Sequence, residues 1–485
     1  MHPPLPSLLD RVRQALPPGL PVYLVGGAVR DALLNRPVHD LDFVLGGNVL
    51  KVGRRVANKL EAAYYPLDTE RDTARVILEQ PDGSREVLDF AALRGPDLES
   101  DLRQRDFTVN ALAISVHEPE ILIDPLGGAA DLRAGLLRAC SPAAFENDPV
   151  RILRAVRLAY AFNLRILPET RSLMSQAVGL LPRVSPERLR DELFRILDGP
   201  QPAAGLRLLD RLGVLPYVLP ELPALQGVSQ SPPHTQDVWD HTLAVVQRLQ
   251  ALLGVLAPEP DPDLSANLAL GLVSMRLGRY REQIQAHLNT PLNADRSLRP
   301  LLVLTALYHD IAKPQTRQVE EGGRIRFLEH DKLGALTGAA RAQALRLSND
   351  EVERLELIIS NHMRPHLLSQ NETTPSRRAI YRFFRDTGPA GVDVCLLALA
   401  DTLAMYGPTL PPQAWGQEVD VVRSLLEAWW EQPHEIVSPP ALVNGNELIK
   451  AFHLKPGPQI GQLLEAIREA QANGDVHSRE QALEL

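Results

Sequence analysis

The hydrophobic pattern of this chain changes near residue 141, and that change limits the possible folds more than any other feature. Before it, short apolar runs bounded by Gly, Pro and Asp predict strands with a few helices. Pro21–Val25 is such a run, and Gly26-Gly27 and a helical stretch, Ala28–Leu34, follow it. After Ser141, apolar residues recur at three- and four-residue spacing. We therefore expect an α/β domain followed by an all-α remainder.

Further strands are predicted at His39–Leu45, Arg75–Leu78 and Val87–Phe90, with Asp82-Gly83 as the hairpin turn between the last two. The length of 485 residues corresponds to roughly three structural units. Proline-rich connections break the helical region near residues 232, 260 and 410. The predicted parts are residues 1–140, 141–230, 231–410 and 411–485.

Composition argues against several classes of protein. Hydrophobic residues make up 45% and charged residues 23%, as in a globular chain. No apolar run approaches the roughly 20 residues of a membrane helix, and the longest candidate is Leu301–Tyr308. The amino-terminal segment MHPPLPSLLDRVR lacks the pattern of a signal peptide. Cys140 and Cys395 provide no disulfide framework. These features predict a cytoplasmic protein without a membrane partner.

The charge distribution leaves a nucleic-acid partner open although the net charge is −9. Residues 131–211 contain thirteen Arg and nine Asp or Glu, a local balance of +4, so the remaining residues carry −13. The chain has 45 Arg and six Lys. The planar guanidinium suits phosphates and base edges. A GC-rich genome would produce the same excess of Arg, so the bias alone does not establish RNA binding.

Two features near the amino end predict a phosphate and metal site. A strand that runs through Gly26-Gly27 into a helix brings backbone N–H groups near a ligand phosphate, and Arg30 lies one turn into that helix. Asp40 and Asp42 share one face of the next strand. Their repulsion is relieved by a divalent cation, and Mg²⁺ prefers carboxylates together with phosphate oxygens. The alternatives are a tight turn and a solvated strand face.

These residues carry a family resemblance. Gly26–Leu34, together with Asp40-Leu41-Asp42, is similar to the head of the bacterial class II tRNA nucleotidyltransferase (CCA-adding enzyme) and poly(A) polymerase family. The similarity continues, in order, through Asp101–Asn110, Asp124–Gly128, Asp148–Arg157 and Ser185–Glu192. The resemblance implies a polymerase-β-like α/β head followed by an all-α neck, body, HD-like domain and tail. It also implies untemplated addition of C or A to the 3′ end of tRNA, using CTP, ATP and Mg²⁺.

The resemblance also implies roles in catalysis. Asp40 and Asp42 would bridge two metal ions that stabilise the attacking and leaving oxygens, with Asp89 as a third carboxylate. Arg105 and Asp106 would contact the sugar and phosphates of the nucleotide. The alternatives are an ordinary strand-end residue for Asp89 and a buried ion pair between Arg105 and Asp106. The nucleotide-binding set is predicted to comprise Gly26, Gly27, Arg30, Arg105, Asp106, Asp148, Arg151, Arg154 and Arg157.

The predicted base-reading pair is Asp148 and Arg151, which share one helix face. Cytosine and adenine each present an amino donor beside a ring-nitrogen acceptor. A carboxylate and a guanidinium match that pattern, whereas uracil and guanine would leave both groups unpaired. Asp148 before Pro149 could instead be only a helix cap. Asn147 replaces the family's usual acidic residue.

Histidines and aspartates in the helical region form a second constellation. Their order along the chain resembles that of the HD phosphohydrolase superfamily. The predicted ligands are His241, His309, Asp310 and Asp401. Imidazole and carboxylate suit a second divalent metal, which would turn bound water into a nucleophile. His330 and His362 could add ligands or phosphate contacts. The alternative for each histidine is a satisfied core residue.

The tail segment Leu442–Leu464 resembles the carboxy-terminal segment of many of these polymerases, which implies that it holds the RNA end. A packed helical pair is the alternative. Within the family, A-only, CC-only and poly(A) addition all stay open, and the loop between Tyr64 and Arg75 is a candidate determinant. The alternatives from other classes of function are a phosphohydrolase whose head only binds nucleotide and an RNA-binding protein without activity. The oligomeric state is not predicted.

Overall fold

The computed structural model describes residues 7–38, 40–79, 85–293, 296–371 and 374–485. They form two compact units, Met1–Ser185 and Pro186–Leu485, and each unit is described by itself. The finer division into four parts stays a prediction. His39 and the expected turn at Asp82-Gly83 lie outside the described residues.

The first unit is built around a seven-stranded sheet with the order β3-β4-β5-β2-β1-β6-β7. The strands are β1 (Val22–Val25), β2 (Asp40–Leu45), β3 (Ala63–Asp68), β4 (Thr73–Glu79), β5 (Arg85–Ala92), β6 (Ala113–Ser115) and β7 (Leu122–Ile123). Strands β2 and β5 are parallel, and every other neighbouring pair is antiparallel. The four predicted strands are confirmed as β1, β2, β4 and β5, whereas β3, β6 and β7 were not predicted.

Alternating burial on the strands forms the core of this unit. Leu41 and Phe43 of β2 are buried while Asp40 and Asp42 face outward. The rings of Phe43 and Phe90 stack with centroids 4.9 Å apart. The helices and 3₁₀ turns are Ser7–Ala15, Gly27–Leu33, Val49–Leu60, Leu98–Arg103, Thr108–Asn110, Gly128–Arg133, Ala144–Asn147, Arg151–Ala161, Pro168–Ala177 and Val178–Arg183. A short parallel pair joins Leu136–Leu137 to Arg165–Ile166.

The second unit is helical, as predicted, with one exception. Its longer helices are Pro186–Leu197, Pro202–Arg211, Val238–Val255, Leu268–Leu277, Arg281–Leu288, Leu298–Tyr308, His330–Ala344, Asn349–Asn361, Arg364–Asn371, Arg377–Thr387, Ala390–Tyr406, Pro412–Glu431, Gly445–Phe452, Pro458–Asn473 and Arg479–Glu484. Shorter helical turns are Leu215–Val218, Leu222–Leu225, Pro262–Ser265, Gly278–Tyr280, Lys313–Thr316, Gly407–Thr409 and Pro433–Val437. The exception is a hairpin of Arg317–Val319 with Ile325–Phe327.

A longer apolar helix, Ala390–Tyr406, was not singled out from the sequence, because Asp393 and Asp401 interrupt its apolar run. By length and composition, Ala390–Thr409 could cross a membrane, with a mean hydropathy of 1.4. However, 78% of that segment is buried inside the protein, as in a core helix. The carboxylate of Asp401 belongs to the metal centre described below.

Candidate active site and metal centre

Three carboxylates meet where the parallel strands β2 and β5 run side by side. Asp42 pairs in register with Asp89, and Asp40 lies two residues before Asp42 on the same face. Burial raises the pKa of Asp42 to about 6, and the like charges of Asp89 and Asp40 add to the effect, while Arg105 and Arg75 oppose it. A divalent cation would relieve this repulsion. The carboxylates therefore fit a metal site.

Gly26 leaves room for the guanidinium of Arg105 beside the carboxylate of Asp42. Gly26 has φ +77°, which side chains rarely adopt. A Cβ at this position would lie 3.2 Å from Nη1 of Arg105 and 3.8 Å from Oδ2 of Asp42. The N–H of Gly26 donates to the carbonyl of Leu112 at 3.1 Å, so it is already used within the fold. The amides of the first turn, which begins at Gly27, lack acceptors within their own helix.

Arg105 and Asp106 do not pair with each other, so the predicted alternative of a buried Arg105–Asp106 pair was wrong. Nε of Arg105 donates to Oδ2 of Asp101 at 3.0 Å. That carboxylate is 1% exposed and also accepts the N–H of Arg94. Asp101 was missed from the sequence, although its spacing of four from Arg105 was visible. Its contact orients Arg105 beside Gly26.

Asp106 ties the loop to the helix Arg151–Ala161. Its Oδ2 lies 3.3 Å from Nη1 of Arg154, and its Oδ1 accepts from the amide of Asn110 at 3.2 Å. Burial alone would raise the pKa of Asp106, but Arg154 and the N–H of Phe107 outweigh burial and hold that pKa below its usual value. Asp106 is therefore ionised and serves as a structural anchor in this conformation.

Arg30 makes several contacts within the protein that its predicted role as an anion ligand did not include. It is 7% exposed, and its fork binds Asp31 with two contacts of 2.9 Å. Its Nη1 donates to Oδ1 of Asn110 at 2.6 Å, and its guanidinium lies 4.0 Å from the ring centre of Phe162. Arg30 therefore fixes Asn110, which in turn holds Asp106. Its contact with a phosphate stays a prediction.

Asp89 has a partner that was not predicted. Nε and Nη2 of Arg75 donate to its two carboxylate oxygens, both at 2.8 Å. The two residues are opposite each other in the antiparallel β4–β5 pair. Any metal role of Asp89 therefore requires it to share its oxygens with Arg75 or to release that side chain.

Arg151 is held beside Asp148 by the backbone of the preceding loop. Its terminal nitrogens donate to the carbonyls of Gln104, Arg105 and Ala144 at 3.0–3.2 Å. Its Nε lies 3.9 Å from Oδ2 of Asp148. Asp148 is extended, with φ −153°, and the helix begins at Arg151. The N-cap residue of this helix is Val150, without a side-chain cap, so the alternative that Asp148 caps the helix ahead of Pro149 was wrong, and its base-reading role stays a prediction. Arg154 and Arg157 continue along the helix, each half-buried.

Cation binding by these carboxylates should depend on pH. The pKa of Asp42 is raised to about 6, so a cation must displace a proton below that pH. We expect cation affinity to rise as the pH increases through about 6 and then to level off. Without metal, the contribution of Asp42 to the free energy of unfolding should fall as the pH rises from about 4 to about 6, because the folded state binds the proton more tightly than the unfolded state.

Calorimetric titration with Mn²⁺ at several pH values measures this dependence. Asp89→Asn removes a like charge and frees Arg75, so it should move the midpoint to lower pH. A cation affinity that is flat across this range would contradict the assignment of Asp42 as a ligand.

The second candidate site lies in the helical unit, where the four predicted ligands converge. Nε2 of His241 is 3.0 Å from Oδ1 of Asp401 and 3.7 Å from Oδ2 of Asp310. Nε2 of His309 is 3.2 Å from Oδ2 of Asp310 and 3.9 Å from Oδ1 of Asp401. Ligand atoms held about 2.1 Å from one ion stand at such separations. His330 and His362 join them, with Nε2 atoms 3.4 and 4.0 Å from Oδ1 of Asp310.

Hydrogen bonds fix which histidine nitrogens face the cluster. Nδ1 of His309, His330 and His362 each contacts a backbone carbonyl three residues earlier, at 2.7 Å. A carbonyl only accepts, so each Nδ1 carries a proton, and Nε2 is the nitrogen that each ring can offer to a metal. Buried atoms without a hydrogen-bond partner among the described residues include Nε2 of His241, His309 and His330 and Oδ1 of Asp401.

This set fits a divalent metal. Buried polar atoms without partners are costly, and a shared cation would satisfy them together. Burial alone would raise the pKa of Asp310, but His309 and Lys313 hold it well below its usual value, so this carboxylate is ionised. The predicted cluster of His241, His309, Asp310 and Asp401 is therefore brought together in space. Lys313 and His234 border it and were not predicted.

Family models match four stretches of the chain. They are the poly A polymerase head domain over residues 22–138, the RNA- and SrmB-binding site of polymerase A over 163–225, the HD domain over 274–406 and tRNA nucleotidyltransferase domain 2 over 414–485. His241 lies outside the HD match, and the fold brings it to the cluster.

Relatives of known activity extend over nearly the whole chain. The A-adding tRNA nucleotidyltransferase of Deinococcus radiodurans is 34% identical over 97% of this chain and 96% of its own length. The CC-adding tRNA nucleotidyltransferase of Geobacter sulfurreducens is 33% identical over 99% and 94%. The solved Thermotoga maritima CCA-adding enzyme complexed with tRNA shares the fold, with a TM-score of 0.58 and 22% identity over 99% of this chain and 94% of its own. The chain therefore belongs to the bacterial class II family of tRNA nucleotidyltransferases, enzymes that extend the 3′ end of tRNA without a nucleic-acid template.

Proposed function

We propose that the first unit adds C, A or both to the 3′ end of tRNA from CTP and ATP, with Mg²⁺ held by Asp40 and Asp42. The observation that carries this proposal is the in-register pair of Asp42 and Asp89 with Arg105 beside Gly26. Carboxylates for the metal and a cation for the triphosphate stand at one end of the sheet. The two free cysteines agree with a reducing cytoplasm.

In this reaction the RNA 3′ oxygen forms a bond to the α-phosphorus of the triphosphate, and the bond to the bridging oxygen breaks and releases pyrophosphate. Bound metal ions supply charge stabilisation for the attacking and leaving oxygens. Asp40 and Asp42 hold them, and Asp89 completes the set once Arg75 shares or leaves it. Arg105 neutralises the triphosphate. The Arg30–Asn110–Asp106 chain keeps the loop bearing Arg105 in place.

Base choice falls to Asp148 and Arg151 in this proposal. Asp148→Asn keeps the size of the side chain and one carbonyl oxygen but loses the charge that accepts an amino group. We expect the preference for CTP and ATP over UTP and GTP to fall by about tenfold or more. The measurement is kcat/KM for each triphosphate, with exposed Glu146→Gln as the matched control. Unchanged selectivity would rule out the base-reading role.

Three tRNA substrates distinguish CCA, CC-only and A-only addition. They end before CCA, after C and after CC, and each is incubated with labelled CTP or ATP. Full CCA activity labels all three, CC-only activity stops after the second C, and A-only activity extends the third alone. Poly(A) activity would add long A tracts. The segment between Tyr64 and Arg75, the candidate determinant, is a short hairpin in which Asp68 accepts the N–H groups of Glu70 and Arg71.

The Arg-rich region 131–211 and the tail are proposed to hold the tRNA through phosphate contacts, which would weaken as salt rises. In the tail, Leu448 and Ile460 pack in a small core of their own. The division into head (1–140), neck and body (141–230), HD-like domain (231–410) and tail (411–485) belongs to the same proposal.

A second activity is proposed for the helical unit because its buried cluster presents lone pairs to one point. We propose that it hydrolyses phosphate esters of nucleotides or RNA ends. Water adds to phosphorus while the bond to the alcohol oxygen breaks, and the alcohol leaves with the water's proton. A divalent ion there would supply activated water. Release of phosphate from model esters by the metal-loaded protein tests the proposal.

A further inference from the structure

Lys313 is a buried cation at the edge of the histidine cluster. It is 7% exposed. Its Nζ lies 2.6 Å from Oδ2 of Asp310 and donates to Oε1 of Gln230 at 2.7 Å. An ammonium has three donors, and among the described residues these two acceptors engage two of them. The third is left for a ligand.

The charge balance of the metal-loaded cluster also favours a bound anion. The four central ligands contribute two carboxylates and two neutral imidazoles, so one divalent cation balances them. Lys313 then adds one positive charge in a buried position. With a metal bound, the carboxylate of Asp310 is shared between the cation and the ammonium, so Lys313 is no longer fully compensated, which is unfavourable for a buried charge. An anion beside the ammonium would restore the charge balance of the loaded centre.

We infer that Lys313 binds a phosphate oxygen of the ligand at this centre, with His234 lining the same side. The imidazole of His234 meets that of His241 edge-on, with ring centres 4.7 Å apart. Its Nδ1 is buried without a hydrogen-bond partner among the described residues. The inference rests on the phosphohydrolase function proposed above, and it names the phosphate group as what the site recognises, on either a free nucleotide or an RNA end.

The neighbouring chain segment holds this side in place. Ser231 accepts the N–H of Ile325 through its Oγ at 2.7 Å, which joins the segment of residues 229–234 to the hairpin. Phe327 of that hairpin has its ring centre 5.3 Å from Nζ of Lys313. Gln230 and Phe327 thus orient the ammonium from two sides. These contacts hold the ammonium of Lys313 in place for the proposed phosphate.

The test uses the full chain loaded with Mn²⁺. Inorganic phosphate is titrated calorimetrically into the parent, Lys313→Met and Lys313→Arg, with the exposed Lys59→Ala as control. Metal content is measured by mass spectrometry in each. We expect Lys313→Met to keep its metal and to lose phosphate affinity by about 10- to 100-fold. Lys313→Arg should restore much of that affinity. AMP and a short RNA with a terminal phosphate, titrated in parallel, distinguish the two sources of the phosphate.

Equal phosphate affinity in Lys313→Met and the parent would overturn the inference. So would a loss of phosphate binding that merely follows a loss of metal, because Lys313 would then act through Asp310. Ester hydrolysis by the parent is scored separately. A parent that binds phosphate through Lys313 but cleaves no ester would overturn the phosphohydrolase proposal and leave this inference standing.

Discussion

Replacing Asp42 with alanine should reduce nucleotide incorporation into tRNA by about a thousandfold or more. The substitution removes the carboxylate that faces Asp89 across the parallel strands, and with it the charge that holds a cation beside Arg105. Charge stabilisation at the reacting phosphate is worth several kcal/mol. Asp40→Ala should have a comparable effect. Incorporation of labelled CTP and ATP under saturating tRNA measures the loss.

The control for this prediction is Asp10→Ala, which removes an exposed carboxylate that pairs only locally with Arg13. It should leave incorporation unchanged. Asp42 is outward-facing, and its removal relieves repulsion, so thermal unfolding of Asp42→Ala should match or exceed that of the parent. Intact incorporation in a folded Asp40→Ala or Asp42→Ala protein would refute the assignment of the catalytic carboxylates.

Replacing His309 should abolish metal binding in the helical unit. This residue is fully buried, and its Nε2 faces both Asp310 and Asp401. Loss of one ligand from a cluster of this kind should weaken metal affinity by at least about 100-fold, and ester hydrolysis should disappear with the metal. Incorporation of nucleotides into tRNA should stay at the parent level, because the carboxylates of the sheet are intact.

Two further variants make this second result interpretable. His309→Ala leaves a cavity, so Asp401→Asn, which is nearly isosteric, provides an independent loss of one ligand. His477→Ala removes an exposed histidine and should change nothing. If His309→Ala and Asp401→Asn keep their full metal content, the cluster is not a metal centre. If they instead abolish tRNA extension while Asp42→Ala does not, the head is not the catalytic site.

The strands and helices that were predicted share strong local signals. β1 is a run of apolar residues bounded by turn residues, and β2 alternates between buried apolar residues and carboxylates, and sequence patterns reveal both directly. β3 was missed because Ala63–Asp68 contains Pro66 and has no buried residue, as befits an edge strand. β6 and β7 have three and two residues, too few to show alternation. The hairpin at Arg317–Phe327 interrupts a helical region, although Gly322-Gly323 marked its turn.

In the candidate sites, too, some residues could be predicted from the local sequence, whereas others depend on strand register or on burial in the fold. Asp40 and Asp42 were found from the strand period together with the Gly26-Gly27 turn and Arg30 that precede them. The pairing of Asp89 with Arg75 depends on the register of two antiparallel strands, which the predicted turn at Asp82-Gly83 alone does not fix to one residue. Asp101 and Lys313 lie four and three residues from their partners, but charge pairs at such spacing are common on exposed helices. Only the fold shows that these are buried.

The histidine cluster could be predicted only from the family resemblance. Its four central members span residues 241–401, and no spacing rule connects positions that far apart. The order of histidines along the chain does not show which of them join the cluster, and only the fold does. His330 and His362 are brought into the cluster, whereas His287 pairs with Asp393 and Arg354 elsewhere.

The most direct test of the central claim is the position of a bound cation in the first unit. Crystals soaked with Mn²⁺ and a non-hydrolysable CTP analogue locate the ion by anomalous scattering. We predict manganese about 2.1 Å from carboxylate oxygens of both Asp40 and Asp42, with the triphosphate beside Arg105. An ion and a triphosphate bound in that unit with neither carboxylate coordinating would contradict it.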